Sequence, residues 1–217
     1  MAHSRTPPRA LGPRGPLRFA GPLAGCPGVR AGPLGRPCLP ASLAGAAIAF
    51  VAMVMTAADV VEVLELLEGA GIEAWVDGGW GVDALLGEQT REHDDLDLTV
   101  PVGSVPAARA LLGAAGFATL RDWLPVALAL RDPSGREVDL HPLAPSRDGG
   151  GDQAQPKDPP FHYGPPAGGR IAGRPVRCVA AATQLRAHLG YPPTAKDQRD
   201  VRLLAERFGL EPPPPYA

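Results

Sequence analysis

The first periodic pattern of apolar residues in the chain starts just after residue 56. Between residues 60 and 67 the apolar positions repeat at the three- and four-residue spacing of a helix that buries one face. Thr56, followed three residues later by Asp59, predicts a capping box at the N-terminus of this helix. Gly69 and Gly71 predict its end. Ordered structure is therefore expected to begin at residue 56.

Short strands and helices alternate through the remainder of the chain. Apolar runs predict four strands and a later hairpin, at 73–77, 96–102, 125–130, 137–142 and 169–179. Helical spacing and capping residues predict four further helices, at 80–86, 104–112, 180–189 and 194–208. Residues 144–160 are rich in Gly, Pro and Asp and predict a loop. The mixture predicts an α+β fold, with a mixed, short-stranded sheet, flanking helices and a C-terminal helical pair.

These patterns divide the chain into three segments. Residues 1–55 are rich in Pro, Gly and Arg and are interpreted as a disordered extension, translated upstream sequence or a targeting leader. Residues 56–210 are predicted to form one folded domain, with a core at 56–143 and a C-terminal hairpin and helices at 161–210. The Pro-rich residues 211–217 are predicted to be a loose tail.

Charge is distributed unevenly over the 217 residues, although the formal net charge is only −2. No Asp or Glu precedes Asp59, so residues 59–217 carry all 23 acidic residues against 15 of the 21 basic ones, a local balance of −8. Binding to nucleic-acid phosphates requires a basic surface. No nucleic-acid partner is therefore expected, and the acidic domain suits cationic ligands or metal ions.

Cysteine content and hydropathy indicate where the protein resides. The three cysteines include no CxxC pair, so no disulfide framework is predicted and the thiols are expected to be reduced in the cytoplasm. The apolar run at 41–55 is shorter than the roughly 20 residues that a membrane helix requires. No membrane association is predicted.

Asp95 and Asp97 are the first candidates for chemistry. Residues two apart on a strand point to the same face, so these carboxylates converge while Leu96 faces the core. Their repulsion would be relieved by a divalent cation, and Mg²⁺ prefers oxygen ligands. Two solvated acids at a strand edge are the alternative interpretation of such an isolated pair.

Gly78 and Gly79 strengthen the interpretation that the carboxylates form a site. They are predicted to form a tight turn between a strand and a short helix. Glycines at such a point allow backbone N–H groups to approach an anion, and a helix N-terminus adds a favourable dipole. An ordinary turn would explain the glycines alone. Together with the paired carboxylates, they indicate a phosphate-binding turn facing a metal site.

Asp139 lies in a predicted strand with apolar neighbours on both sides, so its side chain should face away from the core. A carboxylate at this position could complete the metal site and accept the proton of an attacking hydroxyl. An exposed strand acid is the alternative.

Four motifs carry a resemblance to a known family. The segments DGGWGVD (77–83), REHDDLD (91–97), VDLHP (138–142) and HLGY (188–191) resemble the small lincosamide nucleotidyltransferases and the neighbouring aminoglycoside ones, within the DNA polymerase β-like superfamily. The likeness extends from about residue 57 to about residue 208. Asp94 departs from the pattern, because relatives often carry Arg at this position, and it adds negative charge beside the metal site.

The resemblance implies an enzyme that transfers a nucleoside monophosphate, AMP from ATP, to a hydroxyl of a small molecule such as a lincosamide or an aminoglycoside. It implies that Asp95, Asp97 and Asp139 bind Mg²⁺ and that Asp139 is also the general base. Gly78 and Gly79 would bind the triphosphate through backbone amides, and Arg91 and Lys196 would neutralise its charge. A homodimer is compatible with the resemblance.

Several alternatives remain open at this stage. His93 either orients Asp95 or contacts phosphate, or else it packs as a capping imidazole. His141 is interpreted as structural, with contact to the acceptor as the alternative. A non-catalytic nucleotide-binding or partner-binding protein could share the fold, although all three carboxylate positions are filled. A metal-dependent phosphohydrolase would need further His and Asp ligands at helical positions, and the sequence does not offer them.

Overall fold

The computed structural model describes residues 54–156 and 159–216, so most of the predicted extension at 1–55 lies outside the described residues. Within them the α-helices are α1 (Ala57–Gly69), α2 (Gly78–Leu86), α3 (Val105–Ala114), α4 (Ala181–Ala187) and α5 (Ala195–Phe208). The strands are β1 (Trp75–Val76), β2 (Asp95–Pro101), β3 (Ala118–Trp123), β4 (Ala127–Arg131), β5 (Glu137–Pro145), β6 (Gly151–Gln153), β7 (Phe161–Tyr163), β8 (Ala167–Ile171) and β9 (Arg174–Cys178).

The strands form one mixed sheet in the order β3-β4-β5-β2-β1-β9-β8, with β6 paired to β5 and β7 paired to β6. The pairs β2–β5 and β1–β9 are parallel, and the other pairs are antiparallel. Apolar side chains from the central strands pack against α1, α2 and α3 in a continuous hydrophobic core. The predicted α+β class, with a mixed sheet and flanking helices, is confirmed.

Helix starts follow the capping chemistry that the sequence predicts. Thr56 and Asp59 form a reciprocal capping box at α1, and Thr194 and Asp197 form another at α5. Ser104 differs from the prediction, because its side chain does not cap α3 and a short 3₁₀ turn precedes that helix. The predicted hairpin at 169–179 is present as β8 and β9.

Three strands were not predicted, namely β3, β6 and β7. Strand β3 was missed because five of its six residues are exposed, so it lacks the alternation of a half-buried strand. The predicted loop at 144–160 contains β6, which a tight turn over Ser146–Gly150 returns onto β5. Its Gly and Asp residues serve that turn, where Asp148 accepts a hydrogen bond from the backbone N–H of Gly150 at 3.0 Å.

Two smaller features complete the fold. The tail predicted to be loose is held at Tyr216, whose hydroxyl donates to the backbone carbonyl of His188 at 2.9 Å. Within the described part of the chain, no helix combines the length and the apolar character needed to cross a membrane.

Arg136 links the β4–β5 turn to α1. Its guanidinium donates to Asp132 at 2.7 Å within the turn, and to Asp59 at 3.2 Å and Glu62 at 2.9 Å on the helix. It also lies over the ring of Phe117, 5.4 Å from the centroid. The Arg136 side chain is 20% exposed, so these charge-assisted contacts are only partly screened by solvent.

Replacing Arg136 by Gln is expected to destabilise the protein. The change removes three carboxylate contacts and the cation–π contact, and it leaves Asp132 without its main partner. We expect the free energy of unfolding to fall by about 1–3 kcal/mol, the range for hydrogen bonds to charged groups. Chemical denaturation measures this, with the exposed Arg147→Gln as the matched control. Equal stability of the two variants would contradict the assigned role.

The contacts of Arg136 with Asp59 and Asp132 make the stability of the protein depend on pH. Burial alone would raise the pKa of Asp59 and that of Asp132. Hydrogen bonds from Thr56 to Asp59, from Ser134 to Asp132 and from Arg136 to both carboxylates outweigh burial and lower both pKa values below 3.8. A carboxyl whose folded-state pKa is lowered stabilises the fold above its unfolded value, and this contribution is lost as the pH falls through the folded-state pKa. The stability difference between wild type and Arg136→Gln should therefore shrink as the pH falls below about 4.

Candidate active site

The parallel pairing of β2 with β5 brings the predicted carboxylates together. The register places Asp95 opposite Glu137, Asp97 opposite Asp139 and Thr99 opposite His141. Because side chains alternate along a strand, these six residues share one face of the sheet. The other face carries fully buried apolar side chains, namely Leu96, Leu98, Val138 and Leu140. The predicted orientation of Asp139, away from the core, is confirmed.

The carboxylates of Asp95 and Asp139 lie in an unfavourable electrostatic environment. Burial raises the pKa of Asp95 to about 7, and the neighbouring charges of Asp97 and Asp139 add to the effect. Burial and the charge of Asp97 likewise raise the pKa of Asp139 to about 6. A cation bound between these groups would favour their ionised forms and remove the repulsion.

The donor set suits Mg²⁺ in its chemistry. All three carboxylates offer hard oxygen ligands, and one buried oxygen of Asp139, Oδ1, has no hydrogen-bond partner among the described residues. No trio of acidic, His or Cys side chains within 54–156 and 159–216 is already closed around a common metal position. Asp97 Oδ1 instead contacts His141 Nε2 at 3.1 Å, and Asp139 Oδ2 contacts Arg121 at 3.4 Å.

Arg121 and Glu137 belong to this face of the sheet, and the sequence interpretation missed both as site residues. Glu137 is buried and forms ion pairs with Arg121 and with Arg131. Arg121 lies over the ring of Trp123, 5.4 Å from its centroid, and reaches Asp139 with the same guanidinium. Arg121 was missed because its strand was not predicted. The two-residue spacing of Glu137 and Asp139 was the available signal for Glu137.

Gly78 lies directly against the carboxylate of Asp97, and the paired glycines adopt a conformation that differs from the prediction. They do not form a separate turn, because α2 begins at Gly78 and the side chain of Asp77 caps it by accepting from the N–H of Gly78 at 2.8 Å. Gly78 has φ +57°, and a Cβ there would lie 2.1 Å from Asp97 Oδ2. A Cβ on Gly79 would lie 2.3 Å from Nδ1 of His93. The first turn of α2 therefore approaches Asp97 as only glycine permits.

His93 is packed inside a buried ion-pair network. Its Nε2 lies 2.5 Å from Oδ2 of Asp83, and its Nδ1 lies 2.9 Å from the guanidinium of Arg91. Arg91 in turn binds Asp200 of α5 at 2.8 Å. This geometry favours the packing alternative for His93, whose partner Asp83 is itself buried. Asp200 was not recognised from the sequence.

Lys196 lies at the exposed edge of the carboxylate face. Its Nζ contacts Asp94 Oδ2 at 3.2 Å, and both side chains are more than half exposed. The extra negative charge of Asp94, noted as a departure from the family pattern, is therefore compensated by a lysine from the start of α5. Exposed pairs of this kind contribute little to stability, so Lys196 can exchange partners easily.

His141 joins Asp97 to the β6–β7 hairpin. Its Nδ1 lies 3.0 Å from Nε2 of Gln153, and Nε2 faces Asp97. Burial disfavours a charged ring, whereas Asp97, Asp77 and Asp139 favour it and raise the pKa of His141. The N–H donor of Gln153 opposes a second proton on the ring, because a protonated Nδ1 would face another donor. Sequence patterns gave no signal for Gln153, since it lies in the predicted loop.

The structure thus brings most of the predicted residues to one place. Asp95, Asp97, Asp139 and His141 share the sheet face, Gly78 lies against Asp97, and Gly79 lies against His93 and Arg91. Arg91, His93 and Lys196 flank it, each bound to a carboxylate or another side chain.

Comparison with known proteins agrees with this arrangement. Residues 59–204 match the aminoglycoside-2''-adenylyltransferase family. A lincosamide resistance protein of Staphylococcus haemolyticus is 30% identical over 144 residues, which cover 65% of this chain and 89% of that protein. A 2''-aminoglycoside nucleotidyltransferase of Klebsiella pneumoniae is 32% identical over 128 residues, a match that spans 54% of this chain and 63% of that protein.

Solved structures of related proteins also resemble this chain. The lincomycin-bound crystal structure of the lincosamide antibiotic adenylyltransferase LnuA superposes with a TM-score of 0.60 at 29% identity, covering 67% of this chain and 93% of that one. The solution structure of ANT(2'')-Ia superposes with a TM-score of 0.56 at 24% identity, covering 70% and 84%, and supports the fold alone. These relatives are nucleotidyltransferases, the class that the mixed sheet and its carboxylate face indicate. The chain belongs to the aminoglycoside-2''-adenylyltransferase family.

Replacing Gly78 by Ala is expected to disturb the site and the fold together. A non-glycine residue at a positive φ costs about 1–3 kcal/mol, and the added methyl group would displace the carboxylate of Asp97. Gly113→Ala is the matched control, because a Cβ there meets nothing within 4 Å and the residue lies inside α3. We expect Gly113→Ala to be neutral or to stabilise by about 0.5–1 kcal/mol. Chemical denaturation of both variants decides, and equal stabilities would refute the close-approach argument.

Proposed function

We propose that this protein is a Mg²⁺-dependent nucleotidyltransferase with a polymerase β-like fold, transferring AMP from ATP to a hydroxyl of a small-molecule antibiotic. The observation that carries the proposal is the register of β2 and β5, which puts Asp97 opposite Asp139 beside the first turn of α2. Family membership supports the same reaction class.

In this proposal Asp95, Asp97 and Asp139 hold the metal ion, which supplies positive charge to the triphosphate when bound. Asp139 also acts as the general base. Its Oδ1, which has no hydrogen-bond partner among the described residues, is available to accept the proton of the acceptor hydroxyl. The acceptor oxygen forms a bond to the α-phosphorus, the bond from that phosphorus to the β-phosphate oxygen breaks, and pyrophosphate leaves. The hydroxyl proton passes to Asp139 and then to water.

The triphosphate is proposed to bind at the start of α2. The N–H of Gly79 and the helix dipole favour an anion there, and the N–H of Gly78 would join them after exchanging its present partner, the side chain of Asp77. Arg91 and Lys196 would add positive charge after exchanging their present partners, Asp200 and Asp94. Lys196 is the easier of the two to release, because its ion pair is exposed whereas Asp200 is buried.

A lincosamide is the proposed acceptor, and an aminoglycoside is the alternative. The lincosamide resistance protein matches over 89% of its length, against 63% for the aminoglycoside enzyme. Trp123 and Leu124, which are 44% and 42% exposed, lie at the β3–β4 turn beside Arg121 and offer an apolar surface to the alkyl part of a lincosamide. A cytoplasmic location and a homodimer are retained as proposals for the same enzyme.

Mass spectrometry tests the reaction. The protein with ATP and Mg²⁺ should add the mass of one adenylyl group, AMP less one water, to lincomycin, and it should form little or no such adduct with a panel of aminoglycosides. Asp97→Asn and Asp139→Asn should each lower the rate by about 100-fold or more, as expected for the loss of one charge-stabilising group. Asp122→Asn is the control, because its ion pair with Arg109 is exposed and it should leave the rate unchanged.

Each alternative has its own result in this assay. An adduct on aminoglycosides alone would reassign the acceptor. Absence of any adduct, together with absence of nucleotide binding by calorimetry, would favour a non-catalytic member of the fold. Full activity in either carboxylate variant would refute the proposed site.

Metal removal gives a second test that does not depend on the acceptor. Mg²⁺ should raise the melting temperature of the wild-type protein, because an ion that binds only the folded state stabilises it and here also relieves carboxylate repulsion. Chelation with EDTA should reverse the shift, and Asp97→Asn should reduce it. The same shift in wild type and Asp97→Asn would place the ion elsewhere.

A further inference from the structure

Gln153 lies within a buried hydrogen-bond chain that ends on one of the site carboxylates. It stands on β6, directly across from Leu143 of β5, and is only 4% exposed. Its Nε2 lies 3.0 Å from Nδ1 of His141, and Nε2 of that ring lies 3.1 Å from Oδ1 of Asp97. One imidazole ring therefore separates the amide from the carboxylate.

Two other contacts determine which way the amide faces. Nε2 of Gln153 donates to the backbone carbonyl of Val126 at 3.0 Å, and Oε1 accepts from the hydroxyl of Tyr163 at 3.3 Å. A carbonyl oxygen can only accept, so the NH₂ side of the amide must face Val126. The same NH₂ group then presents its second proton to His141.

The amide orientation determines the orientation of the histidine ring. A hydrogen bond between the NH₂ group of Gln153 and Nδ1 of His141 requires Nδ1 to accept, which assigns the ring proton to Nε2 against the surrounding carboxylates, which favour a second proton. That N–H then donates to Asp97. A rotated or differently protonated ring would lose one of the two contacts, so Gln153 and Asp97 together specify a single arrangement.

We propose that Gln153 is a positioning residue that holds Asp97, through His141, in the orientation used for cation binding. Cation binding by Asp97 rests on the proposed function, whereas the hydrogen bonds from Gln153 through His141 to Asp97 do not depend on it. Partners that orient a ligand side chain in this way typically change metal affinity or activity by about 10–100-fold when they are removed.

The competing explanation is that Gln153 only attaches β6 to the β3–β4 turn through Val126. Tyr163→Phe separates the two roles. It removes the bond to Oε1 of Gln153 and a contact with Asp77, but it leaves both Nε2 contacts of Gln153 in place. A purely structural role predicts similar effects for Tyr163→Phe and Gln153→Met, because each removes one member of the same buried network.

The first experiment records the ¹⁵N shifts of the His141 ring in the metal-free protein. Wild type and Tyr163→Phe should show a protonated Nε2 and an unprotonated, hydrogen-bonded Nδ1. Gln153→Met, which keeps the chain length without the donor, should lose this single pattern. Gln153→Glu presents an acceptor to Nδ1 and should add a proton at that atom while Nε2 still donates to Asp97, and it serves if the methionine variant does not fold.

The second experiment measures Mn²⁺ affinity and steady-state kinetics. Gln153→Met should bind Mn²⁺ about 10–100-fold more weakly and lower kcat while leaving KM for the acceptor unchanged, and Tyr163→Phe should remain close to wild type. A proton on Nδ1 in the wild-type protein overturns the proposal, as do equal losses in the two variants or an unchanged Gln153→Met. If the His141 ring shows the predicted protonation pattern but the protein has no transferase activity, the proposed function is refuted instead.

Discussion

The register between β2 and β5 is the constraint on which the rest of the structure depends. Seven consecutive residue pairs, from Asp95 with Glu137 to Pro101 with Leu143, run in parallel through the centre of the sheet. A slip of one residue would turn the carboxylates into the core and the leucines into solvent. Hydrophobic burial on one face thereby maintains an arrangement of like charges on the other that would not assemble by itself.

Charge compensation is arranged around the edge of this face. Arg121 and Arg131 neutralise Glu137, Lys196 neutralises Asp94, and a buried pair joins Arg91 to Asp200. The centre is left undercompensated, which is why burial and mutual repulsion raise the pKa values of Asp95 and Asp139. In the proposed function, such a site would bind a divalent cation and its anionic ligand together, since each offsets the charge of the other.

Much of this could be predicted from the sequence, because local patterns carry it. The two-residue periodicity was sufficient to place Asp95, Asp97 and Asp139 on one face, and capping residues located α1 and α5. What could not be predicted depends on pairing between distant segments. Arg121 reaches the site from an exposed edge strand without alternation, and Gln153 reaches it from a segment whose glycines resemble those of a loop.

Helix α5 completes the site from the far end of the sequence. Its Asp200 binds Arg91 and its Lys196 binds Asp94, over separations of 109 and 102 residues. At roughly 5–20 residues per second, a ribosome needs about 5–20 s to pass from the first partners to the second. During this interval Arg91 and Asp94 lack their partners, so this part of the site is expected to form only after the last helix has been synthesised.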